Sequence, residues 1–104
     1  MRLTLSTALV LVAVSRGLRH GFDIIDATGL ASGTVYPVLR RLEEAGLLRS
    51  KWEQAQLAHD QLRPPRRYYQ ITASGAGMVR DAIARYPGIT RALAGAGTVK
   101  PVRS

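Results

Sequence analysis

The sequence SGTVYPVLRRLEEAG, residues 32–46, decides the fold. At about 100° per residue it separates into an apolar and a polar face, which predicts an amphipathic helix. The apolar face consists of Val35, Val38, Leu39, Leu42 and Ala45, and the polar face consists of Gly33, Tyr36, Pro37, Arg40 and Glu44. A side-chain oxygen of Ser32, or of Thr34 two residues later, can cap the first turn. Pro37 favours a start close by, and Gly46 can end the helix in a left-handed conformation.

A shorter helix is predicted just before this one, over residues 22–28. Its inward side chains are expected to be Phe22, Ile24, Ile25 and Ala27, and its outward ones Asp23 and Asp26. Gly29 ends the helix, and a short connection then turns the chain into residues 32–46. Two short helices joined by a tight glycine-containing turn, the second with a basic polar face, form a helix-turn-helix.

The first 17 residues are the most apolar segment of the chain. Their basic start and apolar run resemble a secretion signal, which leaves a secreted or membrane-surface basic protein as one alternative. The run is too short to span a bilayer, and it lacks a good cleavage site around residues 13–15. We therefore expect a buried helix whose domain-facing residues are Leu5, Leu9, Val12 and Ala13. Leu11 and Ala8 then need a second subunit, since a helix that is apolar all round requires more than one neighbour.

After residue 46 the pattern changes to a period of two, which is typical of strands. Residues 48–53 alternate, and residues 66–71 alternate again, with Tyr69 and Ile71 on one face. Residues 54–65 show neither the helical period nor the strand period, and they end in two prolines. We therefore predict a loop here that joins the two strands into a long hairpin. Trp52 and Tyr69 are expected to pack this hairpin. Its tip and returning strand carry Arg63, Arg66 and Arg67.

A last long helix is predicted over residues 73–86, capped by Thr72 or Ser74, with the apolar stripe Ala76, Val79, Ile83 and Tyr86. Residues 89–94 predict a further helical turn. The expected fold class is α+β and mainly helical. It is a winged helix-turn-helix with a two-stranded wing and a C-terminal dimerisation helix, over residues 1–94. Residues 95–104 are expected to be a disordered tail.

The composition points to a polyanionic partner. The chain has 104 residues, with 15 lysines and arginines against 7 aspartates and glutamates, and its net charge is +8. Without cysteine it can form neither disulfides nor thiolate metal sites. His20 and His59 have no local ligand partner, and no Ser/His/Asp spacing suggests catalysis. We therefore expect no enzyme activity, metal or cofactor. The absence of cysteine is compatible with the cytoplasm but does not imply it; we expect a cytoplasmic protein without membrane association.

Double-stranded DNA is the partner that these residue types suit best. Lysine and arginine neutralise phosphates, and a helix in the major groove lets arginine read guanine. Arg40 shares the face of Tyr36, whereas Arg41 lies toward the flank and is expected to contact phosphate. Small groups at residues 32–34 let the helix N-terminus approach the backbone. The residues predicted to bind DNA are Ser32, Gly33, Thr34, Tyr36, Pro37, Arg40, Arg41, Arg63, Arg66 and Arg67.

Three segments carry a family resemblance: SGTVYPVLRRLEEAGLL, SKWE and RPPRRYYQITASG. Over about residues 3–80 the chain resembles the PadR family of transcriptional repressors. The resemblance implies a winged-helix dimer built by the N- and C-terminal helices and a pseudo-palindromic operator. It places Ser32, Gly33, Thr34, Tyr36 and Arg40 on the DNA-reading surface, and Arg66 and Arg67 on the wing. The residues expected to form the dimer are Leu5, Leu9, Val12, Val79, Ile83 and Tyr86.

The C-terminus departs from many relatives because Pro87 and Gly88 break the last long helix early. The chain therefore resembles the short type of member. Ligand-responsive relatives bind aromatic or drug-like molecules between their dimerising helices, so a small-molecule effector stays an open question here. One further alternative is a winged-helix module that docks an acidic protein and does not read DNA sequence.

Overall fold

In the computed structural model of the protein, residues 2–94 are described, and they contain six helices and two antiparallel strands. In chain order the elements are α1 (Leu5–Ser15), α2 (Gly21–Thr28), α3 (Ser32–Glu44), β1 (Leu48–Trp52), α4 (Ala55–Asp60), β2 (Arg67–Ile71), α5 (Ala73–Arg85) and α6 (Ile89–Ala92). This order confirms the predicted α+β winged helix-turn-helix. The tail predicted over residues 95–104 lies outside the described residues.

Helix α1 forms the centre of the core, as its apolar sequence predicts. Thr4 caps it, because its hydroxyl accepts a hydrogen bond from the backbone N–H of Thr7 at 3.2 Å. The predicted orientation is confirmed at Val12 and Ala13, which are buried, but it is wrong elsewhere: Ala8 and Leu11 are completely buried within the protomer, whereas Leu5 is 50% exposed. Residues 8–14 are all apolar, so no polar position marks the outer face of the helix. No second subunit is needed to cover Leu11.

Helices α2 and α3 pack against α1 and against each other. Ile24 of α2 is buried as expected, but Phe22 is 71% exposed, so its predicted inward position is wrong. Phe22 lies two residues before Ile24, and side chains two apart on a helix do not share a face. The apolar face of α3 is confirmed at four of its five predicted positions, namely Val35, Val38, Leu39 and Leu42.

The ends of α3 are only partly as predicted. Ala31 is the N-cap and no side chain caps the helix, so capping by Ser32 or Thr34 is wrong. Ala45 is an exposed C-cap residue and not a core residue. Gly46 does end the helix, at φ +78°. The N–H of Leu47 reaches the carbonyl of Leu42 at 2.9 Å, which closes a Schellman turn.

The two strands form the predicted hairpin, in a register that runs from Leu48 opposite Ile71 to Trp52 opposite Arg67. The loop expected over residues 54–65 instead contains α4, whose Ala58 is buried. A second difference lies at the free edge of β2. There the backbone N–H of Tyr69 donates to the carbonyl of Arg19 at 2.8 Å. The turn predicted between α1 and α2 thus also extends the sheet.

Helices α5 and α6 close the fold by packing on α1. Thr72 caps α5, as predicted, because its hydroxyl accepts the N–H of Gly75 at 3.0 Å. Tyr86 follows α5, and its hydroxyl donates to the carbonyl of Leu3 at 3.0 Å. The helical turn predicted over residues 89–94 is confirmed as α6, although it ends at Ala92, and Ile89 and Leu93 are buried. None of the helices in the described part of the chain is long and apolar enough to cross a membrane.

Candidate nucleic-acid interface

The exposed face of α3 carries the side chains that the sequence singled out. Arg40 and Arg41 are exposed, and Tyr36 is 43% exposed. Ser32 and Gly33 are exposed in the first turn, where free backbone N–H groups point out of the helix. Pro37 cannot donate to the carbonyl of Gly33, and that carbonyl lies at the exposed start of the helix, where water can reach it.

The register of the hairpin brings one face of the wing toward α3. Ser50 lies opposite Tyr69 and Trp52 opposite Arg67, so all four share this face. Its inner end is part of the core, since Tyr69 is buried. Its outer end passes beyond the core and carries Trp52 and Arg67, which are exposed. The wing therefore adds a cationic and aromatic surface beside the exposed face of α3.

A groove of about 440 Å³ separates the wing from the helices. Tyr36 lines it from α3, and His20 and Phe22 line it from the start of α2. The groove residues of the wing are Trp52, Arg63, Pro64, Pro65, Arg66, Arg67 and Tyr69. The Tyr36 ring lies directly over Gly21, where a side chain would overlap its hydroxyl end. A glycine at the start of α2 therefore sets the position of Tyr36 at the groove.

Three groups of the protein contact the exposed Arg67 side chain. Its Nε donates to the hydroxyl of Ser50 at 3.0 Å, and its Nη2 lies 3.4 Å from the Glu43 carboxylate. The hydroxyl of Ser50 in turn donates to Glu43 at 2.6 Å. The guanidinium also lies 5.5 Å from the centre of the Trp52 ring, within the range of a cation–π contact. These contacts connect the last turn of α3 to both strands of the wing.

Arg63 has a stronger internal partner. Its two terminal nitrogens donate to the two carboxylate oxygens of Glu53, at 2.6 and 2.8 Å. The Glu53 side chain is only 3% exposed and also accepts the backbone N–H of Arg66 and the hydroxyl of Tyr68. The Arg63 hydrogen bond is the main reason that the pKa of Glu53 falls to about 2. Arg63 therefore braces the loop of the wing, a role that the sequence analysis did not assign to it.

Three other arginines of the candidate interface have guanidinium groups that are available to a ligand. The side chains of Arg40, Arg41 and Arg66 form no hydrogen bond or ion pair with any residue in the range 2–94. Burial lowers the pKa of the His20 imidazole below its ordinary value, although Asp23 lies 3.1 Å away. This shift favours the neutral imidazole of His20.

The structure brings some of the predicted site residues together and keeps others apart. Tyr36 and the three wing arginines line the same groove, whereas Arg41 lines a separate hollow beside the start of α1. Thr34 and Pro37 are partly exposed on the first two turns of α3. The site also contains two residues that the sequence analysis missed, Glu43 and Glu53. Glu43 could have been found by its position seven residues after Tyr36, since two helical turns place it on the same face.

The residues predicted to form a dimer also occupy two different environments. Five of them keep exposed area, on α1, on the neighbouring α5 and directly after α5: Leu5, Leu9, Val79, Ile83 and Tyr86. Val12 is only 1% exposed, because the core of its own protomer covers it. Among the described residues, no group of three or more histidines and carboxylates lies close enough together to hold a metal ion.

The chain matches the model of the transcriptional regulator PadR-like family over residues 10–81. No curated protein is significantly similar to it. A PadR family transcription regulator from Clostridium difficile R20291 has the same fold, with a TM-score of 0.69 at 20% identity. That match covers 85% of this chain and 93% of the other.

Two further solved structures are similar. The PadR-like transcription factor from Bacteroides fragilis gives a TM-score of 0.64 at 23% identity, over 82% of each chain. A PadR family transcriptional regulator from Eggerthella lenta gives 0.58 at 27% identity, over 90% of this chain and 82% of the other.

Proposed function

The chain belongs to the PadR-like family of transcriptional regulators, and on this premise we propose that it is a dimeric repressor that binds a pseudo-palindromic operator in double-stranded DNA. The observation that carries the proposal is the pairing of the exposed face of α3 with a cationic wing across one groove. Occupancy of the operator would exclude the polymerase. This role requires a location in the cytoplasm, with the chromosomal DNA.

The side chains of α3 divide between base and phosphate contacts. Arg40 is exposed, unpaired within residues 2–94 and on the face of Tyr36, so it is suited to bidentate recognition of guanine. Arg41 lies at the flank near α1, where a DNA backbone would pass. The first turn of α3 offers its free N–H groups to a phosphate. The exposed surface of the first two turns of α3 is formed by Ser32, Gly33, Thr34 and Pro37.

The wing contributes through Arg66 and Arg67, and Arg63 acts indirectly by holding the loop in shape. Arg66 has a free guanidinium, whereas its backbone N–H is anchored on Glu53 at 3.1 Å. This anchoring fixes the base of the side chain and leaves its charge available for the DNA backbone. Arg66 is therefore the wing residue that we expect to contact a phosphate in every DNA complex.

The dimer is proposed to form through α1 and α5. Leu5 and Leu9 lie one turn apart on α1, and Val79 and Ile83 lie one turn apart on α5, which packs beside it. Together they form a partly exposed apolar surface on the two helices. A two-fold dimer that reads a pseudo-palindrome must present both copies of α3 to the same side of the DNA. Helix-turn-helix dimers bind half-sites about 34–36 Å apart, one helical turn of DNA.

Three arginine variants test which side chains contact bases and which contact phosphates. Their affinities for a preferred DNA sequence and for a scrambled one are measured by fluorescence anisotropy. Loss of a bidentate base contact in Arg40→Ala should lower the ratio of the two affinities by about 5- to 150-fold. Arg66→Ala should weaken both affinities alike and flatten the dependence of log K on log salt by about 0.9. Arg91→Ala removes the same charge from α6, which packs on α1, and serves as the control.

Equal effects of all three variants would show that only net charge matters and would contradict the proposed site. Equal affinity of the wild-type protein for every DNA sequence would instead support a winged-helix module that does not read DNA.

A further inference from the structure

The exposed face of α3 contains an acidic residue in an unexpected place. Glu43 lies seven residues after Tyr36 and three after Arg40, so the three side chains leave the helix in nearly the same direction. A carboxylate on this face repels DNA phosphates. Glu44, the next residue, is also exposed but lines the hollow beside Arg41 and the start of α1. The two glutamates therefore have the same charge and different surroundings.

The contacts of Glu43 explain its position. One of its carboxylate oxygens accepts the hydroxyl of Ser50 at 2.6 Å, and the other lies 3.4 Å from Nη2 of Arg67. Ser50 also accepts a hydrogen bond from Nε of Arg67 at 3.0 Å, so the three side chains form a closed network. The side chains of Glu43 and Arg67 are both partly exposed. A DNA phosphate that approached the wing could therefore compete with Glu43 for the guanidinium.

We propose that Glu43 limits the sequence-independent DNA affinity of this protein by holding the charge of Arg67 away from phosphates. The inference rests on the proposed DNA-binding function. Non-specific affinity depends on the number of phosphates that cations neutralise. While Arg67 is paired with Glu43, a phosphate must displace the carboxylate before it can contact the guanidinium, so a non-specific complex gains less from Arg67, and the carboxylate adds repulsion. Phosphate contacts carry no sequence information, so Glu43 adjusts the strength of binding and leaves base recognition to Arg40.

The test is a salt titration of scrambled DNA with the full-length protein. Glu43→Gln keeps an oxygen that can accept from Ser50, so the fold is retained while the charge is lost. Exposed ion pairs of this kind are weak, and their removal should raise the affinity for scrambled DNA about two- to fivefold. The slope of log K against log salt should steepen by about 0.9, the value for one additional phosphate contact. Glu44→Gln removes the same charge without freeing Arg67 and should leave the slope unchanged.

A double-mutant cycle isolates the contact. In an Arg67→Gln background, Glu43→Gln should no longer steepen the slope, because no arginine remains to be released, and its gain in affinity should fall to that of Glu44→Gln, which removes only repulsion. Equal effects of Glu43→Gln and Glu44→Gln in the wild-type background would overturn the inference, and so would a steeper slope that persists without Arg67. A wild-type protein that binds no DNA at all would refute the proposed function itself. Urea midpoints of all four variants identify any that are unfolded.

Discussion

Gly75 in α5 gives a sharp test of how the wing joins the core. A Cβ added at this position would overlap the carbonyl oxygen of Leu47 and lie 3.2 Å from Cγ2 of Ile71. The main obstacle is backbone, so a change of rotamer cannot remove it. Gly77, in the same helix, has only the tip of the Arg80 side chain within 4 Å, at 3.7 Å. Gly75→Ala and Gly77→Ala therefore make the same chemical change in different surroundings.

The expected free energies differ in sign. Alanine favours a helix over glycine by about 0.5–1 kcal/mol, which should stabilise the Gly77→Ala protein. At Gly75 the same gain is opposed by overpacking of up to about 3 kcal/mol, so the net loss should be about 2 kcal/mol. The two variants should thus differ by about 3 kcal/mol. With an m-value of about 1.5 kcal/mol/M, their urea midpoints should lie about 2 M apart.

The measurement is equilibrium unfolding in urea, followed by circular dichroism. The wild-type midpoint should fall between those of the two variants, and all three m-values should agree. Two stabilised variants would refute the close contact between α5 and Leu47. Two destabilised variants would show that glycine at both positions has a role that the packing around Gly77 does not explain.

Two other predictions concern the wing and the dimer. Arg63 and its neighbours lower the pKa of Glu53 from 4.5 to about 2. The ionised carboxylate therefore stabilises the fold above pH 4.5, and this contribution is lost as the pH falls toward 2. The urea midpoint of Glu53→Gln should therefore lie below that of the wild type at neutral pH and converge with it near pH 2; a constant difference would contradict the ion pair. Leu5→Glu should convert a dimer of twice 11.3 kDa into a monomer in light scattering at micromolar concentration. Leu57→Glu, which changes an equally exposed leucine in the wing, should stay dimeric, and a monomeric wild type would refute the proposed dimer.

Periodicity predicted the elements well where polar and apolar residues alternate clearly. The four buried positions of α3 and the hairpin strands follow directly from their patterns. Pattern carries less information in α1, because residues 8–14 offer no polar position, and the direction of the helix depends on how α2, α3 and α5 pack around it. The exposed position of Phe22 could have been predicted, because a side chain two residues before the buried Ile24 cannot share its face of the helix.

The ion pairs of the wing could not be predicted from spacing alone. Glu53 and Arg63 are ten residues apart, and they meet because the intervening chain forms α4 and then turns back toward β2. A six-residue helix is too short to be stable by itself, and α4 is anchored by the buried Ala58. The register of the hairpin alone places Glu53 beside Arg66, whereas its proximity to Arg63 depends on α4 and the turn that follows it.

The sequence analysis selected the cationic residue types of the candidate DNA surface, but it could not show which arginines are paired with a carboxylate. The sequence analysis treated the three wing arginines as equivalent, but two of them have carboxylate partners within the described residues. Glu43 lies 24 residues from Arg67, so only the tertiary structure shows that they meet. Such pairs change the expected effect of a mutation, since replacing one partner also leaves the other unpaired.

Selection of binding sites from a random duplex DNA library, followed by affinity measurement at two salt concentrations, tests the central claim most directly. The account predicts one enriched pseudo-palindrome with half-sites about 10 base pairs apart, centre to centre. The protein should prefer this sequence to a scrambled one by roughly a thousandfold or more, and the preference should survive the higher salt. A library in which no sequence is enriched, together with affinities for the selected and scrambled DNA that are equal and fall equally steeply with salt, would contradict it.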